Sequence, residues 1–355
     1  MTKRLLKIAQ YFVFLAAGIG LVWWQLKDMS PGEKQDFSSA LSDVHFEIII
    51  PVVIMSLLSH ASRAMRWQIL MEPLGYKPSF KNAFSVTMIG YLANAAVPRL
   101  GEVLKCTFLA KYERLRMDRL FGTIVVERMF DFLCFLLFIF ITIIIQFGII
   151  SGFLAGIFSG YDGTPLLIRL ALLILMFAGT YFSFRFLFRK FPQHGIVVKL
   201  RNILRGLRDG LKTIFTLKRK RAFLLHTFFI WAMYLLQVYV GFRAMDGTAH
   251  LGMPAAFSVL TLATIAMIVT PGGIGSFPVF VMETLLIYGI SSPIGKAFGW
   301  LQWGVNTGII IIFGFAALLL LPVINKRNED NKGHSIEDLP SSTTSAGNNQ
   351  VETQK

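Results

Sequence analysis

Six stretches of this chain are apolar for long enough to cross a lipid bilayer, and that fixes the class of fold before any motif is read. A helix rises ~1.5 Å per residue, so about 20 apolar residues span a ~30 Å hydrocarbon core. The stretches are 5–26, 46–67, 121–150, 166–188, 223–242 and 297–321. Only 15% of residues are charged, against about 25% in soluble domains, so polar cover on all sides is lacking. The expectation is an all-α integral membrane protein with six full spans.

Two further apolar stretches are too short and are interrupted by Pro and Gly. Residues 83–97 run into Pro98-Arg99-Leu100-Gly101-Glu102 and then 103–110. Residues 255–269 run into Thr270-Pro271-Gly272-Gly273-Ile274-Gly275 and then 276–288. An arm of about 15 residues reaches only ~22 Å, short of the hydrocarbon thickness. The expectation is two re-entrant helical hairpins; a kinked span is the other reading, since Pro kinks are tolerated in membranes.

Loop charge gives the orientation. Lys3, Arg4, Lys7, Lys77, Lys81, Lys111, Arg114, Arg116 and Arg119 fall on one side, with the basic segment 189–221 and Lys326 and Arg327. An acidic loop with Asp28, Glu33, Asp36 and Asp43 falls on the other. Both termini are then cytoplasmic, in the inner (cytoplasmic) membrane. The net charge of +15 belongs to these loops, so no nucleic-acid partner is expected. Residues 5–26 are too long for a cleaved signal and read as a retained span. Segment 189–221 includes a basic amphipathic helix, lying on anionic headgroups or on the protein's own cytoplasmic face. The polar stretch 325–355 is expected to be a disordered cytoplasmic tail.

The order of elements repeats. Residues 1–150 read span, span, hairpin, span, and residues 165–322 read the same. Three crossings per half place the second upside down, so the halves are expected to be inverted repeats. Paired Gly/Pro-interrupted segments in such halves point to a midplane transport site. Buried polar residues are the candidates for that site. Arg99, Gly101, Glu102 and Asn94 surround the first tip, and Gly272, Gly273 and Gly275 form the second. Arg128 completes the expected substrate-binding set. Glu127, Asp131 and Glu283 are candidates for ion pairs or a proton relay, with Arg128 and Asp131 spaced to pair on one helix face. Glu102 is expected to pair with Arg99 or Arg128, or to carry a proton. Arg63 and Arg66 would guide a headgroup at the cytoplasmic side, beside Trp67 as an interfacial anchor. Arg99 offers a fork suited to phosphate or carboxylate.

No catalytic residue, cofactor or metal is expected. The histidines show no ligand spacing, and Cys106 and Cys134 read as packing residues. HExxH, GxSxG and P-loop patterns do not occur.

These same elements resemble the flippase-like transmembrane family related to the membrane region of lysylphosphatidylglycerol synthases. The resemblance rests on Arg63-Ala64-Met65-Arg66-Trp67 ahead of Gly75, on Asn94, and on Pro98-Arg99-Leu100-Gly101-Glu102. It continues through Glu127-Arg128-Met129-Phe130-Asp131 to Thr270-Pro271-Gly272-Gly273-Ile274-Gly275. The family often carries an extra Gly before the first Arg and an acid soon after the second turn. Here Val97-Pro98-Arg99 omits the first, and Phe277-Pro278 replaces the second, leaving Glu283 as a substitute. The resemblance implies movement of lipids between leaflets; aminoacyl-lipid synthesis is not expected, because only a polar tail follows 321. The expected substrate is an anionic (phospho)lipid and the protein no enzyme. Two other readings remain open: a non-catalytic partner or regulator of a cell-envelope lipid enzyme, and an enzyme that modifies lipid headgroups.

Overall fold

The computed structural model describes residues 18–23, 27, 29–146, 175, 178–179, 182, 185–186, 189–190, 198 and 217–337. Among them all regular structure is helical. The helices are α1 (Pro31–Ser42), α2 (Phe46–Met71), α3 (Phe80–Ala96), α4 (Leu100–Glu113), α5 (Met117–Ile145), α6 (Lys220–Gly241), α7 (Met253–Val269), α8 (Ser276–Leu286) and α9 (Ser292–Glu337).

Among the described residues four segments are long and apolar enough to cross a membrane: Phe46–Leu74, Met117–Ile145, Lys220–Ala244 and Ser292–Lys326. They correspond to four of the six expected spans, that of 121–150 only as far as Ile145. Of the other two, 5–26 is described only in part and 166–188 only at scattered positions, while the amphipathic segment 196–215 falls almost wholly outside the described residues. Large apolar side chains cover the outward faces, among them Phe132, Leu136, Leu137 and Phe140 on α5, and Ile312, Phe315 and Leu319 on α9. Such bands are unstable against water and stable against lipid tails.

The interrupted segments are helical pairs. α3 and α4 are joined by Val97-Pro98-Arg99, where Arg99 takes φ 68° and so reverses the chain. Gly101 follows because the arms cross there: a Cβ would run into the carbonyl oxygen of Gly90 and come within 2.6 Å of Asn94 Cγ. α7 and α8 are joined by a 3-10 turn over Pro271–Gly273, with positive φ at Gly272, Gly273 and Gly275. The two tips meet, the turn at Pro271–Gly273 lying against α3 and Trp303 Nε1 donating to Gly272 O at 2.9 Å.

Several expected boundaries shift. The acidic loop around Glu33 and Asp36 is the helix α1, started by a capping box in which Ser30 Oγ and the Glu33 carboxylate serve each other's backbone N–H. That S-x-x-E signature, with Pro31 at the first position, is legible in the sequence. α9 continues to Glu337, past the expected limit at 325.

Packing pairs the elements in a regular way. α2 and α6 lie along one another; α2 packs on α3 and α6 on α7; α4 packs on α5 and α8 on α9. Two further crossings exchange halves, α9 lying on α3 and α5 on α7, while α9 also meets α1 and α2, and α2 meets α5. One apolar core gathers Trp67, Met71, Met88, Leu109, Leu120 and Phe223. A second gathers Phe242, Val259, Val281, Leu285 and Phe298.

A buried charge cluster as the candidate functional site

Three helices deliver opposite charges to one point inside this apolar framework. Arg63 and Arg66, at i and i+3, project from one face of α2. Glu127 and Asp131, at i and i+4, project from one face of α5, ~15–21 Å along that helix from Met117. Arg63 Nη1 donates to Asp131 Oδ2 at 2.5 Å and to Glu127 Oε1 at 3.3 Å. Arg66 Nη2 donates to Asp131 Oδ1 at 2.8 Å and to Glu127 Oε1 at 3.4 Å. Both guanidiniums reach α6 as well, through Tyr234 Oη at 3.0 Å and Thr227 Oγ1 at 3.2 Å. α4 supplies Lys105, whose Nζ lies 3.1 Å from Glu127 Oε2 and 4.0 Å from the centre of the Trp67 ring.

A second layer faces the first hairpin tip. Arg128, one residue beyond Glu127 and so turned away from Arg63, donates from Nη2 to Glu102 Oε1 at 2.8 Å. Asn94 Nδ2 donates to the same oxygen at 3.3 Å, while Asn94 Oδ1 accepts from the Gly101 N–H at 2.8 Å. The side chain thus caps the free end of α4 and orients Glu102 together. Glu102 Oε2 and Tyr91 Oη are buried without a hydrogen-bond partner. Both residues line, with Arg63, Lys105, Glu127 and Arg128, a cleft of about 10 Å³, the room of a single water.

Arg63, Arg66, Lys105 and Arg128 therefore stand against Glu102, Glu127 and Asp131: four cations and three carboxylates. A buried pair breaks even only when every charge is matched. Among the described residues this cluster is one negative charge short of that balance, and protonating a carboxylate widens the gap.

The geometry corrects three expectations. Arg128 and Asp131 do not pair along α5, because α2 brings two guanidiniums to Asp131 and α4 brings Glu102 to Arg128. Arg63 and Arg66 are not open to an arriving headgroup: they are 6% and 0% exposed, their guanidiniums taken up by Glu127 and Asp131. Trp67 is no interfacial anchor, being fully buried with Nε1 donating to Thr123 Oγ1 at 2.8 Å. Lys105, Tyr234 and Thr227 escaped the sequence reading. Lys105 was legible, as a cation one turn beyond Glu102 inside an apolar arm.

The remaining candidates lie apart from the cluster. Arg99 is exposed at the first tip, and Glu283 is exposed on α8. Gly272, Gly273 and Gly275 shape the second tip, beside Ala95 and Gly18. Among the described residues no group of His, Cys, Asp and Glu is arranged to hold a metal ion.

The family model described as the lysylphosphatidylglycerol synthase TM region matches residues 8–314, which include every residue of this site. The chain belongs to that family. Two relatives carry the name UPF0104 membrane protein. The one from Methanocaldococcus jannaschii is 24% identical over 310 residues, covering 81% of this chain and 87% of its own length. The one from Methanothermobacter thermautotrophicus is 22% identical over 320 residues, covering 86% and 94%. No solved structure matches the chain. Within this synthase-region family, Arg63–Trp67, Glu102 and Glu127–Asp131 converge in space through α2, α4 and α5, although 68 positions separate Arg63 from Asp131.

Proposed function

We propose that this chain is a lipid transporter that moves an anionic phospholipid between leaflets and performs no covalent chemistry on it. The observation that carries the reading is the surplus positive charge of the cluster among the described residues: Arg63, Arg66 and Lys105 are buried against Glu127 and Asp131, and the half-exposed Arg128 faces Glu102. A lipid phosphate supplies the missing charge, and Arg128 is the cation best placed to meet it. The description of the family, with its lysyl-lipid synthase, supports a lipid role.

The path follows from topology. Six spans and two re-entrant hairpins form two inverted repeats with both termini cytoplasmic; the matched pairings of α2 on α3 with α6 on α7, of α4 on α5 with α8 on α9, and of α9 on α3 with α5 on α7 support this arrangement. The cleft at Glu102 admits one water and no headgroup, so loading requires the first hairpin or α5 to move. Alternating tilts of the two halves give that movement.

The same tight cleft favours one competing reading, a membrane partner or regulator of a cell-envelope lipid enzyme in which the cluster only locks helices together. Native mass spectrometry of the chain purified in mild detergent separates the two. Transport predicts adducts of anionic phospholipids in preference to zwitterionic ones, reduced in Arg128→Gln. A single stoichiometric protein partner, with adducts indifferent to headgroup charge and to Arg128→Gln, would replace transport with the partner reading.

A further inference from the structure

A cavity of about 300 Å³ lies between α5, α7 and α8, apart from the charge cluster. Ile139, Ile143, Leu262, Ile265 and Ile287 wall it, and among the described residues no charged side chain lines it. Its polar groups are turned on their own neighbours. Thr142 and Thr261 share a hydrogen bond of 2.8 Å, Gln146 Nε2 donates to Ser258 Oγ at 2.6 Å and to Tyr288 Oη, and Thr284 Oγ1 donates to Phe280 O at 2.6 Å. Groups already bonded in this way offer little to a polar ligand, so the cavity selects an apolar one. It is about twice the size of the ~150 Å³ apolar cavity that stays dry and takes benzene, which suits the end of one alkyl chain. Phe138 packs on Phe257 with ring centres 5.3 Å apart, so α5 and α7 are joined beside the space and its walls are fixed.

Helical register connects this cavity to Arg128. Ile139 and Gln146 follow Arg128 on α5 by 11 and 18 residues, about three and five whole turns at 3.6 residues each, so all three share one face. Phe132 and Phe135 continue that face between them, and Phe132 is exposed. On α7 the same spacing links Ser258, Leu262 and Ile265 in the cavity to Val269, exposed beside the second tip. Along α5 the cavity begins ~16 Å from Arg128 at Ile139. That is close to the ~15 Å that the chains of one leaflet cover in a ~30 Å core.

We infer that this cavity is the acyl-chain site of the transported lipid: the phosphate meets Arg128, and one tail lies along α5 with its end between Ile139, Ile143, Leu262 and Ile265. The inference rests on the transport reading for the headgroup and adds the place of the tail. The second chain stays among the surrounding lipid. Moving a chain from lipid to an apolar wall brings no hydrophobic gain; dispersion contact with walls that otherwise face a void favours it only modestly. Affinity therefore comes from the head, and the tail site sets orientation. In the proposed topology α5 runs outward from Met117, so a lipid held this way has its tail on the outer side of its head. That is the orientation of the cytoplasmic leaflet. A lipid of the outer leaflet points its chains the other way and cannot fill both places.

Photolabelling locates the tail directly. The full chain, in vesicles of phosphatidylcholine, is irradiated with a phosphatidylglycerol carrying a diazirine near the end of one acyl chain, and labelled residues are read by peptide mass spectrometry. Label should concentrate at Ile139, Ile143, Leu262 and Ile265 and stay low at Leu137, which is exposed on the opposite face of α5. It should fall severalfold with a phosphatidylcholine probe of the same tail, in Arg128→Gln, and in Leu262→Trp, whose ring fills the cavity. Label spread evenly over Leu137 and the cavity, or equal for both probes and untouched by Arg128→Gln, would make the cavity a berth for bulk lipid and overturn the inference. Comparing the two probes needs wild type alone, so the test stands even where a variant fails to fold. Leaflet transfer measured on the same vesicles separates the claims. Selective label without transfer keeps the tail site and removes transport; headgroup-selective transfer with unselective label removes the tail site alone.

Discussion

Glu127 holds the site together at the scale of single residues, because Arg63, Arg66 and Lys105 all converge on it. Glu127→Gln leaves three cations around one amide. Breaking a buried network by removing one partner costs roughly 3–5 kcal/mol, so the purified variant should melt well below wild type in detergent. Adding Lys105→Met returns the net charge of the cluster to its wild-type value and keeps an unbranched side chain on Trp67. The double variant should recover a measurable part of the lost stability; a double that is the sum of two independent losses would show that Lys105 and Glu127 are not coupled. The residue types at this site were legible in sequence, since charges in apolar spans stand out. Their partners were not. Helical spacing offered Arg128 to Asp131, and only the arrival of α2 and α4 reassigned both.

Among the elements, the first hairpin depends on the close crossing of its arms at Gly90 and Gly101. Gly101→Ala forces a methyl into a backbone carbonyl and against Asn94, an overpacking of about 1–3 kcal/mol. It should also disturb the Asn94 cap on α4, so a thermal melt combined with lipid-adduct measurements should show both falling. Unchanged melting would mean that the arms are further apart than described. At the other end of the molecule α2 is tied to the loop after α6. His45 N–H donates to Ala244 O at 2.9 Å, and its ring Nε2 lies 3.0 Å from Asp246 Oδ1, with Glu47 3.4 Å from Nδ1. The hydrogen bond to Asp246, then the nearby carboxylate charges, raise the imidazole pKa above its ordinary 6.5. A raised folded-state pKa gives stability that is complete below 6.5 and lost as pH rises through the raised value. Wild type should therefore out-melt His45→Gln slightly at acid pH, with the gap closing as the medium turns alkaline. A gap that is constant with pH would assign the effect to packing. Hairpin existence was read from Gly/Pro interruption. The capped helix α1 was missed because its charge pattern was taken for a loop while its Ser30–Glu33 signature went unused.

For the whole molecule, the topology proposed from loop charge places Gln35 on α1 and Lys326 on opposite sides. Cysteines at the two positions, in a chain without Cys106 and Cys134, should react with a membrane-impermeant reagent from opposite faces of sealed vesicles. Reaction of both from one face would remove the inverted-repeat account. Four of the six expected spans were readable from apolar length, because the bilayer imposes that length on every helix, while 5–26 and 166–188 lie mostly outside the described residues. The crossing of α9 onto the first hairpin and α5 onto the second was not, because it depends on packing between residues more than 100 positions apart. The central claim is that a buried cluster with surplus positive charge carries an anionic lipid across the membrane. Its most direct test is the leaflet-transfer rate of headgroup-labelled phosphatidylglycerol against phosphatidylcholine in vesicles, for wild type, Arg128→Gln and Arg99→Gln. The account predicts faster transfer of the anionic lipid by wild type, and loss of that preference in folded Arg128→Gln. Transfer at the rate of protein-free vesicles, or equal transfer of both lipids that survives Arg128→Gln, would contradict it.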